Sequence, residues 1–287
     1  MNILLMVILL AAILLSFSGA YLSFAWLKVI FNFCLAVSPA AIALLWFIIM
    51  MYQAQFHVKI KDAVYVDEAD YQKIVPGEKT TVYETKDLYI FFPEYRTVNF
   101  NTKNLPKKSD RSVTWCGGAA YQNEYLLRFS PGNIEGCYAS LGQYYEGALM
   151  PPFINGAFVF YDGHFAFDFD DPEKAVKTAA EHGGDGFMQA AIIIDGQPVP
   201  LKILLLRNKC FRVLADFNGN LCIINAKKRT NLIDYSAMLT ELGVSSALYL
   251  DMGGGFNYSW YRKANGRVRM LFRLRFIWAK NWVTFRK

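Results

Sequence analysis

Residues 210–226 read CFRVLADFNGNLCIINA. Two apolar runs flank Asn218-Gly219, a pair that suits the two positive-φ positions of a tight turn, so the stretch is expected to fold as an antiparallel hairpin. Two other stretches carry the same signal. FVFYDGHFAFDF (158–169) reads as a hairpin about Asp162-Gly163, and FMQAAIIIDGQPVP (187–200) as a buried strand leading into Asp195-Gly196. Arg212, near the start of the first of these hairpins, is a cation in an otherwise apolar run. It is either an outward-facing strand residue or a ligand contact.

Helices are expected between the strands. PEKAVKTAAEHGG (172–184) has Pro172 in its first turn and Gly183 after its last. A second helix starts at a cap, Asn231, carries Tyr235, Met238, Leu239 and Leu242 on one face, and ends at Gly243. SSALYL (245–250) is then a short strand running into Asp251. From residue 113 onward strands alternate with helices, which gives an expected α+β class: a mixed sheet domain with flanking helices, over 113–287. Residues 57–112 are a polar lead-in with short strand-like pieces, TTVYE near 80 and DLYIFFPEY near 90, and an evident loop over 101–112.

The 287 residues are 54% hydrophobic, and the excess lies at the N-terminus, where Lys28 is the only charge between Ile3 and Phe56. A bilayer-spanning helix needs about 20 apolar residues. The region 1–56 is therefore expected to be an N-terminal two-helix transmembrane hairpin with spans near 3–24 and 29–52. A cleavable signal peptide, with Ser16–Ala20 as its cleavage region, is the alternative for the first span. The expected location is membrane-anchored with the folded domain extracytoplasmic, and membrane lipid is an expected partner. Lys28 favours a cytoplasmic hairpin tip, while His57, Lys59 and Lys61 pull the other way. The five cysteines form no CxxC and no zinc-type spacing, so neither a metal nor another cofactor is expected. A net charge of +6 without a recognition motif argues against nucleic acid as a partner.

Asp251 is followed by Met252, then Gly253, Gly254 and Gly255. One carboxylate between a buried strand and a stretch that is nearly all backbone is either a turn aspartate bonded to local amides or a site where a ligand approaches the main chain. The order CGGAAY (116–121), GFMQAAIIIDGQPVP (186–200), CFRVLADFNGNLCII (210–224), helix, and SSALYLDMGGG (245–255) resembles the phosphodiester glycosidase family, over roughly 110–287. DMGGGFNYSWYR and the closing NWVTFRK are similar to an exopolysaccharide-related bacterial subgroup. Cys116 stands where that pattern has Asn, Met252 interrupts its Asp-Gly pair, and Phe256, Asn257, Tyr258 and Ser259 stand in place of its Ser-Ser.

The resemblance implies a hydrolase of a sugar-1-phosphodiester or related glycosidic linkage in surface polysaccharide or envelope glycan, with a carbohydrate or phosphoglycan ligand. Asp251 would be the catalytic carboxylate, since such chemistry uses carboxylates as acid, base or nucleophile. Arg212 would contact phosphate with bidentate geometry. Gln189 would orient a hydroxyl, Gly117, Gly118, Gly253 and Gly254 would present amides, and Asn257 would complete the binding set. The alternative is a non-catalytic glycan- or phosphoglycan-binding or scaffolding module on the same fold, favoured by the substitutions at Cys116 and Met252. Arg267, Arg269, Arg273 and Arg275 share parity and would form one basic strand face, which either attracts polyanions or guards an edge.

Overall fold

The computed structural model describes residues 32, 37–39, 41–47, 59–102, 104–122, 134–148, 151–200, 208–250, 258–272 and 281–287. The chain divides into two compact units, Met1–Gln53 and Ala54–Lys287. In the first, residues 37–39 and 41–47 are helical. The expected transmembrane hairpin is not supported, because among the described residues no helix is long and apolar enough to cross a membrane. Hydropathy counts side chains in a window, whereas crossing needs about 20 residues in one helix. The membrane-anchored, extracytoplasmic location inferred from the hairpin is corrected with it. Span 3–24 lies outside the described residues.

The second unit is mostly sheet. An eight-stranded sheet runs in the order β1 (Val64–Tyr65), β2 (Thr81–Glu84), β3 (Leu88–Phe92), β14 (Asn220–Ala226), β13 (Arg212–Phe217), β15 (Val244–Tyr249), β11 (Ala191–Ile194), β12 (Gln197–Pro198). A five-stranded sheet has the order β17 (Val268–Phe272), β16 (Ser259–Arg262), β5 (Val113–Gly118), β18 (Asn281–Arg286), β4 (Thr97–Thr102). A second five-stranded sheet has β7 (Gln143–Tyr145), β6 (Tyr138–Ser140), β10 (Asp185–Gln189), β8 (Gly156–Tyr161), β9 (His164–Asp168). Among the described residues the α-helices of this unit are α1 (Pro172–Glu181) and α2 (Leu232–Leu242), with one 3-10 turn at Glu68–Lys73.

The expected mixed sheet with alternating helices is thus corrected to a mainly antiparallel β fold. The reason is visible in the turns. Asp162-Gly163, Asp195-Gly196 and Asn218-Gly219 all have both residues at positive φ, 51° and 79°, 49° and 74°, and 54° and 73°. Such two-residue turns return the chain antiparallel, and the one parallel pairing among the named strands is the two-residue match of β1 with β2. The helices form where their caps dictate. The Asn231 side chain accepts from Asp234 N and Gly243 closes α2 at φ 89°, while Asp171 accepts from Lys174 N ahead of Pro172.

Strand alternation divides the core. On β13, Val213, Ala215 and Phe217 face one way, with Cys222 and Ile224 of β14, and pack against Leu232, Tyr235, Leu239 and Leu242 of α2. Leu214, Leu221 and Ile223 face the other way and pack with Trp115, Phe187, Tyr261, Val283 and Phe285 from the two smaller sheets. The outer face of the β5 sheet buries Cys116, Tyr258, Trp260 and Trp282. A period of two therefore puts Arg212 on the face of the large sheet that looks toward β5 and β16.

Candidate functional site

Arg212 is fully buried. Its register partner across the hairpin is Asn225, whose Oδ1 accepts from Arg212 Nε at 2.8 Å. On the facing sheet, Ser259 Oγ accepts from Nη2 at 3.0 Å. The guanidinium carbon lies 5.4 Å from the Trp115 ring. The cation is thus held by one acceptor from its own sheet and one from the opposing sheet, and it stacks on an aromatic face. Burial lowers its pKa to about 10, against the opposing pull of Tyr235, Tyr249, Cys116 and Cys210. Arg212 remains a cation at neutral pH.

Gly117 and Gly118 are not loop residues. They lie inside β5, paired with Val283 and Trp282 of β18. A Cβ at Gly117 would overlap the Trp115 ring and come within 3.1 Å of Arg212 Nη1. Glycine is required there by the close approach of an indole and a guanidinium.

Gln189 is also fully buried, at the point where the chain passes from β10 in one sheet to β11 in another. Its Nε2 donates to Ala119 O at 3.3 Å and its Oε1 accepts from Ala190 N at 2.8 Å. Ala190 O in turn accepts from Tyr249 N, and Arg212 O accepts from Leu250 N, each at 2.9 Å. Gln189 and Arg212 are thereby tied to neighbouring positions, Tyr249 and Leu250, at the end of β15.

Asp251, Gly253, Gly254 and Asn257 lie outside the described residues. The residues on either side of that stretch are placed. Leu250 is bonded to the Arg212 carbonyl and Ser259 to its guanidinium. The chain leaves and rejoins the described fold at Arg212.

The other polar candidates are occupied locally. Asp168 Oδ1 accepts from the amides of Asp170 and Asp171, and Asp162 Oδ2 meets His182 Nδ1 at 2.9 Å at the exposed end of α1. Asp185 is buried, accepts from Asn99 Nδ2 and Leu141 N, and has its carboxyl pushed up by that burial. Cys116 points into the outer cluster, away from Arg212, and burial pushes its thiol up. Cys116, Cys137 and Cys222 are free buried thiols. Among the described residues no group of His, Cys, Asp and Glu side chains is arranged to hold a metal ion. Of the basic strand face, Arg269 lies in β17 with Nη2 donating to Lys59 O, and Arg273 and Arg275 lie outside the described residues.

Trp115 and Asn225 are absent from the sequence-derived candidates, and Ser259 enters them only as part of the stretch in place of the Ser-Ser pair. Asn225 was reachable by counting outward from the two-residue turn, which pairs Phe217 with Asn220 and Arg212 with Asn225. Ser259 had no local signal, since it meets Arg212 only through the packing of two sheets.

No family model and no curated protein matches the chain. Among solved structures, the catalytic domain of zebrafish N-acetylglucosamine-1-phosphodiester alpha-N-acetylglucosaminidase, auto-inhibited by its pro-peptide, superposes with a TM-score of 0.50 at 14% identity. The match covers 70% of this chain and 76% of that one. A hypothetical protein from Synechocystis matches at TM-score 0.43 and 11% identity, over 74% of this chain and 64% of that one. The fold is therefore related to that of the zebrafish domain.

Proposed function

We propose that the chain is a hydrolase of phosphodiester-linked sugars, with Arg212 as the cation that receives the phosphoryl oxygens and Asp251 as the carboxylate that acts at the anomeric carbon. The observation that supports this most is the position of Arg212. It is a buried cation that holds Leu250 through its carbonyl and Ser259 through its guanidinium, so it lies at both ends of the stretch that carries Asp251. The likeness to the zebrafish domain adds a fold on which such chemistry is carried out.

In this reading, departure of the phosphate develops negative charge that a fixed guanidinium stabilises, and positive charge at the sugar that a carboxylate stabilises. Gln189 keeps the β10–β11 crossover in register with β5, and Gly117 leaves room for the guanidinium. Gly118, Gly253, Gly254 and Asn257 complete the proposed binding set, with a carbohydrate or phosphoglycan as ligand.

A second reading, a non-catalytic phosphoglycan-binding or scaffolding module, draws on a separate observation. Arg212 is fully buried and bridges two sheets, which is also what a structural tie does. One experiment separates the two. The full-length chain is incubated with a panel of sugar-1-phosphodiesters, and free sugar is measured for wild type and Asp251→Asn. Turnover by wild type that is lost in a folded Asp251→Asn supports the hydrolase. Binding without sugar release supports the module, and equal turnover by both proteins removes Asp251 from the chemistry.

A further inference from the structure

Trp115 is a donor that the fold leaves open. Its ring is fully buried on the inner face of β5, edge-on to Phe285 at 5.9 Å, and its Nε1–H has no acceptor among the described residues. Buried tryptophans ordinarily find a partner for that N–H, and leaving one without costs about 1–3 kcal/mol. The polar groups around it are engaged. Gln189 is bonded at both ends, and Asn225 and Ser259 both accept from Arg212.

The placement of the ring is specific. Its Cζ2–Cη2 edge, the benzo edge next to Nε1, crowds the Cβ position of Gly117, and Arg212 Nη1 is 3.1 Å from the same point. The edge of the indole that adjoins its N–H and one nitrogen of the guanidinium therefore meet at the same point beside Gly117. Trp260 serves as a reference. Its Nε1–H also lacks an acceptor among the described residues, yet it lies on the outer face beside Arg262, whose guanidinium is spent on backbone carbonyls.

We infer that Trp115 is a ligand-contacting residue: its indole N–H and the Arg212 guanidinium are joint donors to one oxyanion of a phosphodiester. This rests on the assignment of Arg212 as the phosphate contact, and it adds a second donor to the same anion. A guanidinium supplies charge and a fork, while a single fixed N–H adds direction. An unpaired buried donor beside a cation has the polarity of a site that an anion completes.

The test uses the full-length chain with 15N-labelled tryptophan indoles, which gives six N–H resonances to follow. The Trp115 resonance is assigned by its contact with the Phe285 ring and independently by Trp115→Phe. Dimethyl phosphate and inorganic phosphate are titrated separately. The expected result is that dimethyl phosphate moves the Trp115 indole proton downfield and leaves Trp260 in place, with affinity about tenfold weaker in Trp115→Phe. A larger effect of inorganic phosphate would reassign the ligand to a monoester and overturn the diester statement. No movement of Trp115 with either anion, or equal movement of Trp115 and Trp260, overturns the inference even if sugar release is observed. Movement of Trp115 without sugar release leaves the inference standing and removes the hydrolase reading.

Discussion

Arg212 and Arg262 are both buried beside a tryptophan, at 5.4 Å from the Trp115 ring and 5.7 Å from the Trp260 ring, yet they are held in opposite ways. Arg262 donates to four backbone carbonyls, those of Val113, Gly266, Lys108 and Asp110. Val113 starts a strand, and the other three lie in loops between strands. Its work is to close loops. Arg212 instead donates to two side chains on two different sheets, Asn225 and Ser259, which fixes the plane of the guanidinium. An arginine satisfied by carbonyls is a staple, and one oriented by neutral side chains keeps its charge directed at a chosen place.

The largest expected contrast comes from replacing each arginine with lysine, which keeps the charge and removes the fork. Arg262→Lys should lower stability by about 3 kcal/mol, because buried carbonyls lose their donors, with sugar release per folded molecule unchanged. Arg212→Lys should lower sugar release per folded molecule about 100-fold, the scale of losing an aligned donor to developing charge. Denaturant midpoints and turnover of both variants check this. Equal losses of turnover in the two would erase the distinction.

Glycines sharpen the same comparison at a smaller scale. Gly117 is bare because Trp115 and Arg212 Nη1 occupy the space of a side chain, whereas Gly219 is at φ 73° with open space around it. Gly117→Ala should cost about 1–3 kcal/mol through overpacking and should also weaken dimethyl phosphate binding. Gly219→Ala should cost about 1 kcal/mol through its left-handed backbone and leave binding alone. Calorimetric unfolding and anion titration on the two variants separate a packing effect at the site from a turn effect remote from it.

These contrasts also mark what could be read in the chain. Asn231 and Gly243 bound α2, and Asp171 and Pro172 open α1, because caps are local chemistry. The three positive-φ turns were legible for the same reason. Residues 187–200 read as one strand leading into a turn, but the chain changes sheets at Ala190, between β10 and β11. No local signal announces that, since the bonds that fix it come from Ala119, Tyr249 and Asn155, distant in sequence. Gly117 and Gly118 read as a turn or an amide loop, because a pair of glycines carries the same letters whether a turn or a neighbouring indole requires them. Arg212 was identified as a candidate, but its burial and its partners Ser259 and Trp115 depend on how two sheets face each other.

The smallest expected effect probes the staple side of the comparison by pH. Asp110 sits in the loop that Arg262 closes, and its carboxyl is held below its ordinary value of 3.8, first by the Ser112 hydroxyl and then by Arg286. Arg286 Nη1 donates to Asp110 Oδ2 and Ser112 Oγ to Oδ1, each at 2.7 Å. A carboxyl with a depressed folded pKa contributes stability that is complete above its unfolded value and is lost as pH falls through the folded value. Acidification from pH 4 downward should therefore loosen the Asp110–Arg286 contact, and the stability difference between wild type and Asp110→Asn should shrink over that interval. The effect should be small, because the ion pair is partly exposed and screened, and because the Arg262 bonds to the Lys108 and Asp110 carbonyls do not involve the Asp110 carboxylate. Unfolding midpoints of the two proteins against pH check it. A difference that does not shrink on acidification would mean that the Asp110 carboxylate is not its source.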